Sequence, residues 1–188
     1  KRKRGVDQGH VALRFRHEFA SGFILNAGYR FATAKEIYDS IEAGFLDADN
    51  RTLNMWAFKL PEKFQSHQLQ ADLAGKFRTG FLRHTLLIGT ELLRTTLDGK
   101  GFGDFSVGTM DIFNPRNAFA TPNFSLFTDG ERRTHALDFF MQDQVKVFEP
   151  LTLVVGARFD LVNRKAHDRM SGSTTGLEDT EVTPRVGL

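Results

Sequence analysis

Apolar and polar residues alternate along much of this chain. From Val11 to Phe19 the odd positions are Val11, Leu13, Phe15, His17 and Phe19, and the even ones are Ala12, Arg14, Arg16 and Glu18. A period of two places successive side chains on opposite faces of an extended backbone, so this stretch is predicted to be a strand with one apolar and one charged face. After the small turn Ala20-Ser21-Gly22, the apolar set resumes as Phe23, Leu25, Ala27, Tyr29 and Phe31, opposite Asn26, Gly28 and Arg30. The two runs are predicted to form a hairpin.

The same rhythm returns further on. Leu69, Ala71, Leu73 and Phe77 oppose Gln68, Gln70, Asp72, Ala74 and Lys76, a turn centred on Gly80 spans residues 78–83, and a less regular strand covers 85–97. Leu137, Phe139, Met141, Val145 and Val147 oppose Asp138, Phe140, Gln142, Gln144 and Lys146, with Asp143 falling on the apolar face. Past a turn at Glu149-Pro150 comes the clearest run: Leu151, Leu153, Val155, Ala157, Phe159 and Leu161 against Thr152, Val154, Gly156, Arg158 and Asp160. A last strand is expected to begin near Val182. Residues 33–64 are poorly patterned and include Pro61, so strand is placed there by connection logic alone. Residues 98–133, rich in Gly, Asn, Pro and Phe, read as a long loop, and 163–180 as a second polar one. Short connections at 20–22, 78–83 and 149–150 thus alternate with longer ones near 43–50, 98–133 and 163–180.

That pattern favours an antiparallel transmembrane β-barrel wall, with tight turns on one side of the membrane and long loops on the other. No apolar run approaches the ~20 residues a spanning helix requires. A barrel strand needs only about ten, apolar on one face. If the apolar faces meet lipid, a one-residue slip would carry Arg14, Arg16 and Glu18 into hydrocarbon, at about 2–4 kcal/mol per basic residue near the midplane. The facing is therefore fixed, with charges to the lumen and Phe and Leu to lipid. Barrel girdles ordinarily use Tyr and Trp, and the 2 Tyr and 1 Trp of this chain beside 19 Phe count against a barrel unless Phe serves as the lipid anchor. A soluble β-sandwich is the competing architecture, and it would need its apolar faces packed together.

Composition narrows the chemistry. Net charge is +2 and cysteine is absent, which excludes disulfides, thiolate metal sites and Cys nucleophiles. The six His lack metal spacing, Gly99, Gly101 and Gly103 lack the context of a phosphate loop, and nothing resembles a catalytic constellation. Lys1-Arg2-Lys3-Arg4 reads as a solvated loop end, suited to lipopolysaccharide phosphates rather than nucleic acid. Lys1 is no initiator and Leu188 falls inside an apparent strand, so a fragment is expected.

An ordered set of short motifs resembles the barrel of TonB-dependent siderophore receptors, especially the ferrichrome-type group. They are Arg78-Thr79-Gly80 with His84-Thr85-Leu86-Leu87-Ile88-Gly89-Thr90-Glu91, then Asp111-Ile112-Phe113-Asn114-Pro115, then Phe140-Met141-Gln142-Asp143-Gln144. Val155-Gly156-Ala157-Arg158-Phe159-Asp160 and Thr183-Pro184-Arg185-Val186-Gly187-Leu188 complete the series. The resemblance covers residues 78–188 by motif and 10–77 in general character. It implies that residues 1–188 supply about seven strands of a barrel with about 22, the signal peptide, TonB box and plug being absent from this stretch. It also implies a place in the outer membrane of a Gram-negative bacterium, with ferric siderophore, TonB, membrane lipid and lipopolysaccharide as partners. Iron would travel only inside the siderophore, so no cofactor is expected. Receptors of the superfamily for cobalamin, haem or oligosaccharide, and a passive porin, stand as alternatives.

Candidate residues follow from this picture. Arg158 and Asp160 lie two apart on the predicted lumen face and Arg185 is in phase with them on the next strand, a wall-bracing role in which opposite charges on neighbouring strands contribute about 0.2–1 kcal/mol per pair. Gly156 and Gly187 leave wall space a plug could occupy. The long loop carries Phe102, Phe105 and Phe113, more aromatic surface than a solvated loop needs. A ferric siderophore presents organic surface around iron already saturated by oxygen ligands, so aromatic and hydrogen-bonding groups can recognise it. By the resemblance these three Phe are the expected ligand contacts.

Overall fold

A computed structural model describes residues 3–116 and 118–188. They form seven strands: β1 (Lys3–Glu18), β2 (Ile24–Leu46), β3 (Thr52–Thr79), β4 (Leu82–Asp111), β5 (Ser125–Phe148), β6 (Leu151–Asp168) and β7 (Thr174–Gly187). All seven belong to one sheet in the order β1 to β7, each antiparallel to the next. There is no second sheet among the described residues, which rules out the sandwich. The sheet is open, so β1 and β7 each keep one unpaired edge, as expected for part of a larger closed wall.

Register carries the alternation across strands. Leu13, Tyr29, Leu69, Leu92, Leu137 and Leu161 are successive partners from β1 to β6, forming one apolar row on what we call the outer face. The row below is Phe15, Ala27, Ala71, Thr90, Phe139, Phe159 and Val182. Five such rows, from Leu69 down to Phe77 on β3, cover about 27 Å along the strand, close to the ~25 Å apolar band of an outer-membrane barrel. These side chains stay uncovered within the sheet: Leu13 is 67% exposed and Met141 52%. A single layer has nothing to bury them against, and lipid is the solvent that suits them.

Asp143, the acid that falls in this band, is met from the neighbouring strand. Its Oδ2 lies 2.6 Å from His84 Nδ1, and His84 stacks on Phe77 with ring centroids 4.6 Å apart. A carboxylate in an apolar setting needs such a partner.

Strand lengths correct the sequence reading at the loop end. β3 runs for 28 residues and β4 for 30, roughly three times what crossing a membrane requires. Residues 33–64, poorly patterned and assigned strand by connection logic alone, and 98–133, expected to be a long loop, are mostly paired hairpin; only 47–51 and 112–124 lie between strands there. β6 and β7 extend to Asp168 and Thr174, so the loop expected over 163–180 shrinks to 169–173. Lys3 and Arg4, expected at a loop end, open β1 instead, and Arg4 Nε binds Glu36 at 2.6 Å. Lys1, Arg2 and Asn117 lie outside the described residues. The physical cause is shared: above the band no hydrocarbon holds one face apolar and the other polar, so alternation fades while the backbone ladder continues.

The buried core is small and lies in this upper region. Met55, Ala57 and Val107 are buried on the outer face, with Ile41, Leu53, Met110 and Phe119 packed around them. Phe119 belongs to the 112–124 loop, which folds back over β3 and β4. Ala120 N donates to Val107 O at 3.0 Å, and Asn123 N to Asp104 Oδ2 at 2.7 Å.

Candidate functional site

On the inner face, the loop end carries a cluster of rings. β3 places Trp56 and Phe58 two residues apart, in phase with Gln68, Gln70 and Asp72. A register shift between Gly101 and Phe102 adds a residue to β5 and turns Phe127 inward. Phe105 comes from the upper part of β4. Centroid separations are 5.4 Å for Trp56–Phe105, 5.7 Å for Phe58–Phe105, 6.0 Å for Phe58–Phe127 and 5.9 Å for Phe105–Phe127. All four contacts are edge-on, the favoured approach of aromatic quadrupoles.

Glycines make the seat for these rings. A Cβ on Gly44 would stand 2.4 Å from Trp56, and one on Gly103 2.9 Å from Phe105. The rings reach over bare backbone, yet Phe105 remains 51% exposed and Phe127 42%. The result is a preformed aromatic surface that is open to a ligand.

Next to it, Gly99 and Gly130 are direct partners on the inner face, and Asp168 follows Gly130 on β6. With no side chains there, the wall dips into a hollow of about 530 Å³ lined by Leu60, Glu62, Leu97, Arg132, Ala166 and Asp168 among others. Hydrogen bonds from the Ser171 hydroxyl and the backbone of Met170 hold the Asp168 carboxyl below its ordinary range. The hollow thus offers both signs of charge beside an aromatic surface. Among the described residues no group of three or more His, Cys, Asp or Glu side chains is arranged to hold a metal ion.

Of the three Phe expected to contact ligand, the structure brings only Phe105 into this site. Phe102 pairs with Lys59 and Leu126, a register that turns it to the outer face, away from the cluster. Phe113 sits at the tip of the 112–124 loop, 75% exposed. Its N–H donates to Asp111 Oδ1 at 2.9 Å, and Asp111 Oδ2 receives Arg51 at 2.6 and 2.8 Å. The Arg51 guanidinium, followed by the Phe113 amide, holds the Asp111 carboxyl below its usual range. Trp56 and Phe58 were missed by sequence reasoning, and Phe127, one of the Phe within 98–133, was not singled out. The Trp56-x-Phe58 spacing and the nearby glycines were the available signal.

Lower on the inner wall the charges interlock. Glu91, Asp138, Asp160 and Glu181 are consecutive partners on β4 to β7, and like charges set side by side repel. Arg158, one row below, relieves this by reaching Asp160 at 2.6 Å and Asp138 at 2.9 Å, while Gln68 donates to Glu91 at 2.6 Å. Arg185 lies across from Gly156 and has no ion-pair partner among the described residues. A Cβ on Gly156 would stand 2.7 Å from the Met141 carbonyl, so that glycine is demanded by backbone approach. Gly187 faces more open space, its nearest atom at 3.8 Å.

Comparison with known proteins places these features. A family model described as "TonB dependent receptor-like, beta-barrel" matches residues 2–188. The chain is 26% identical to the ferrichrome outer membrane transporter/phage receptor of Escherichia coli (strain K12), over 95% of this chain and 27% of that one. It is 24% identical to the ferrioxamine B receptor of Salmonella typhimurium (strain SL1344), over 95% and 25%. It therefore spans about a quarter of the length of these relatives. Among solved structures it is similar to the ferric citrate transporter FecA in its unliganded form, with TM-score 0.77, 12% identity, and 95% of this chain against 24% of that one. P. aeruginosa FpvA bound to heterologous pyoverdines also gives TM-score 0.77, with 19% identity and 95% against 24% coverage. With the family model matched along almost its whole length and one open, seven-stranded antiparallel wall, the chain belongs to the TonB-dependent receptor β-barrel family.

Proposed function

We propose that this chain is part of the barrel wall of an outer-membrane receptor that takes up a ferric siderophore in a TonB-dependent manner. The observation that carries the siderophore reading is the inner-face aromatic cluster of Trp56, Phe58, Phe105 and Phe127 beside the Gly99/Gly130 hollow, at the loop end of a family wall. An oxygen-saturated iron complex offers organic surface to rings and amide or hydroxyl groups to Glu62, Arg132 and Asp168. Such recognition needs no metal ligand from the protein. Phe105 is assigned to this contact, and Phe113 to a first encounter at the loop tip.

Arg158, Asp138 and Asp160 brace the wall, and the receptor has no catalytic step. The barrel of about 22 strands, the plug and the coupling to TonB belong to the same proposal and rest on the family relationship. The two relatives are named for ferrichrome and ferrioxamine B, which makes these the first ligands to test.

Uptake of radio-iron supplied as ferrichrome or ferrioxamine B should fall to background when the parent gene is deleted from its own bacterium. It should return with the intact gene and return only partly with Phe105→Ala. Unchanged uptake of every ferric siderophore tested, with impaired uptake of cobalamin, haem or an oligosaccharide, would overturn the siderophore reading and leave the family intact.

A further inference from the structure

The charges around the inner-face hollow differ in how far the wall already engages them. Glu36, Glu62, Gly99, Gly130 and Asp168 are successive partners from β2 to β6, so one row runs from two acids across a bare floor to a third acid. Glu36 takes the Arg4 guanidinium at 2.6 Å. Asp168 has both oxygens engaged in its own turn, one by the Met170 amide at 2.8 Å and the other by the Ser171 hydroxyl at 2.7 Å. Glu62 has no hydrogen-bond or ion-pair partner among the described residues.

That free carboxylate leans over the floor. Its Cγ stands 3.4 Å and its Oε1 3.6 Å from the place where Gly99 would carry a Cβ. Two residues further along β4, on the same face and about 7 Å away, Cζ of Phe127 stands 2.7 Å from the corresponding place on Gly101. Carboxylate and ring therefore occupy adjacent seats on one glycine floor. The planes of Phe58 and Phe105 meet that of Phe127 at 70° and 69°, so the three rings form a corner rather than a stack. Arg132, the unpaired cation of the hollow, partners Leu97 and Ala166 one row below, on the side away from the rings.

We propose that Glu62 and Phe127 form a subsite for a positively charged amine, so that the receptor prefers a ferric siderophore with a protonated amine arm over the same complex without that charge. The carboxylate supplies an ion pair, and the ring quadrupole attracts the cation to its face. A ring face repels an anion for the same reason, and Arg132 lies too far from the rings to reverse the choice. The inference rests on the siderophore reading of this site and adds to it the class of cargo that the site selects.

The test uses the full-length receptor in detergent at neutral pH, where a primary alkylamine is protonated. The probes are radio-iron complexes of one linear trihydroxamate chelator with its terminal primary amine either free or acetylated, so that the charge changes and the iron shell does not. Equilibrium dialysis gives both affinities. Wild type should bind the free-amine form about fivefold more tightly, and the preference should shrink as salt is raised. Glu62→Gln should bring the ratio close to one by weakening the free-amine form alone, Glu62→Asp should keep part of the preference, and Phe127→Leu should reduce it. Equal affinities in wild type would overturn the proposal, as would an undiminished preference in Glu62→Gln or a parallel loss of both forms in that variant. A heat-shift gel confirms that each variant is folded. Binding of ferrichrome by a wild type that binds neither probe overturns the amine subsite and leaves the uptake reading standing, whereas wild type that binds no ferric siderophore fails both.

Discussion

Strand β3 contains two regions that spend the same alternation differently. From Leu69 to Phe77 its odd positions look outward into the apolar band and its even ones, Gln70, Asp72 and Lys76, look inward. From Thr52 to Gln65 the odd positions Met55 and Ala57 lie under the folded-back loop, while Trp56 and Phe58 look inward. Hydrophobicity points out in the lower region and in both directions in the upper one. The lower region is governed by an external solvent, the upper by its own loops and by what comes to the mouth.

A single charge should expose this contrast most sharply. Leu92→Arg places a cation on the outer face within the band, and the full-length receptor should lose about 2–4 kcal/mol of stability in lipid-reconstituted urea unfolding. Leu93→Arg, one residue along β4 and facing Gln68 and Ala136 on the inner side, should cost far less. Equal losses at the two positions would sink the assignment of faces. Next in size is the polar pair within the band: His84→Leu removes the partner of Asp143 and should destabilise by about 1–3 kcal/mol, the cost of an acceptor stranded in an apolar setting. His84→Leu with Asp143→Leu should recover most of that loss, and a double-mutant cycle reads the difference.

This contrast also explains how much could be read from the sequence. Runs such as Leu69–Phe77 and Leu151–Leu161 were legible because hydrocarbon enforces alternation, and a break such as Asp143 was visible for the same reason; aligning them with Leu92 of the less regular β4 took the register. The upper hairpins were illegible because water and loops enforce no such rule, so Gly101–Phe102–Gly103 looked like loop although it is ladder. Phe105 could be picked from composition alone. Separating it from Phe102 required the register, which sets one inside and the other outside.

The upper region should respond to ring loss where the lower does not. Phe105→Ala removes an edge-on partner of three rings and should weaken ferric-siderophore binding by about 3- to 10-fold, the worth of one aromatic contact, with little change in unfolding midpoint. Phe102→Ala should leave binding unchanged. Fluorescence quenching of Trp56 on titration with the ferric complex is a direct readout, provided the other tryptophans of the receptor are replaced. Quenching that is insensitive to Phe105 but lost with Phe102 would invert the site.

The smallest expected effect concerns acid. Asp49 and Asp111 hold the 47–51 and 112–124 loops, and both carboxyls titrate below their ordinary value. For Asp49 the first cause is the Thr52 hydroxyl, followed by the Thr52 and Arg51 amides; for Asp111 it is the Arg51 side chain. A depressed carboxyl contributes its stabilisation fully above its unfolded value and loses it as pH falls through the folded one. The loops should therefore be indifferent to pH from neutrality down to the ordinary carboxylate range and loosen only below it. Both groups are solvent-exposed, so the change should be local and screened by salt. Limited proteolysis with pepsin, scanned downward from pH 5, should show cleavage within 112–124 rising before any loss of the folded barrel on a gel, and Arg51→Gln should move that onset upward. Cleavage that tracks global unfolding instead would mean that the Arg51–Asp111 contact does not hold the loop, and that Phe119 packed on Met55 and Val107 holds it together with the Ala120–Val107 and Asn123–Asp104 hydrogen bonds.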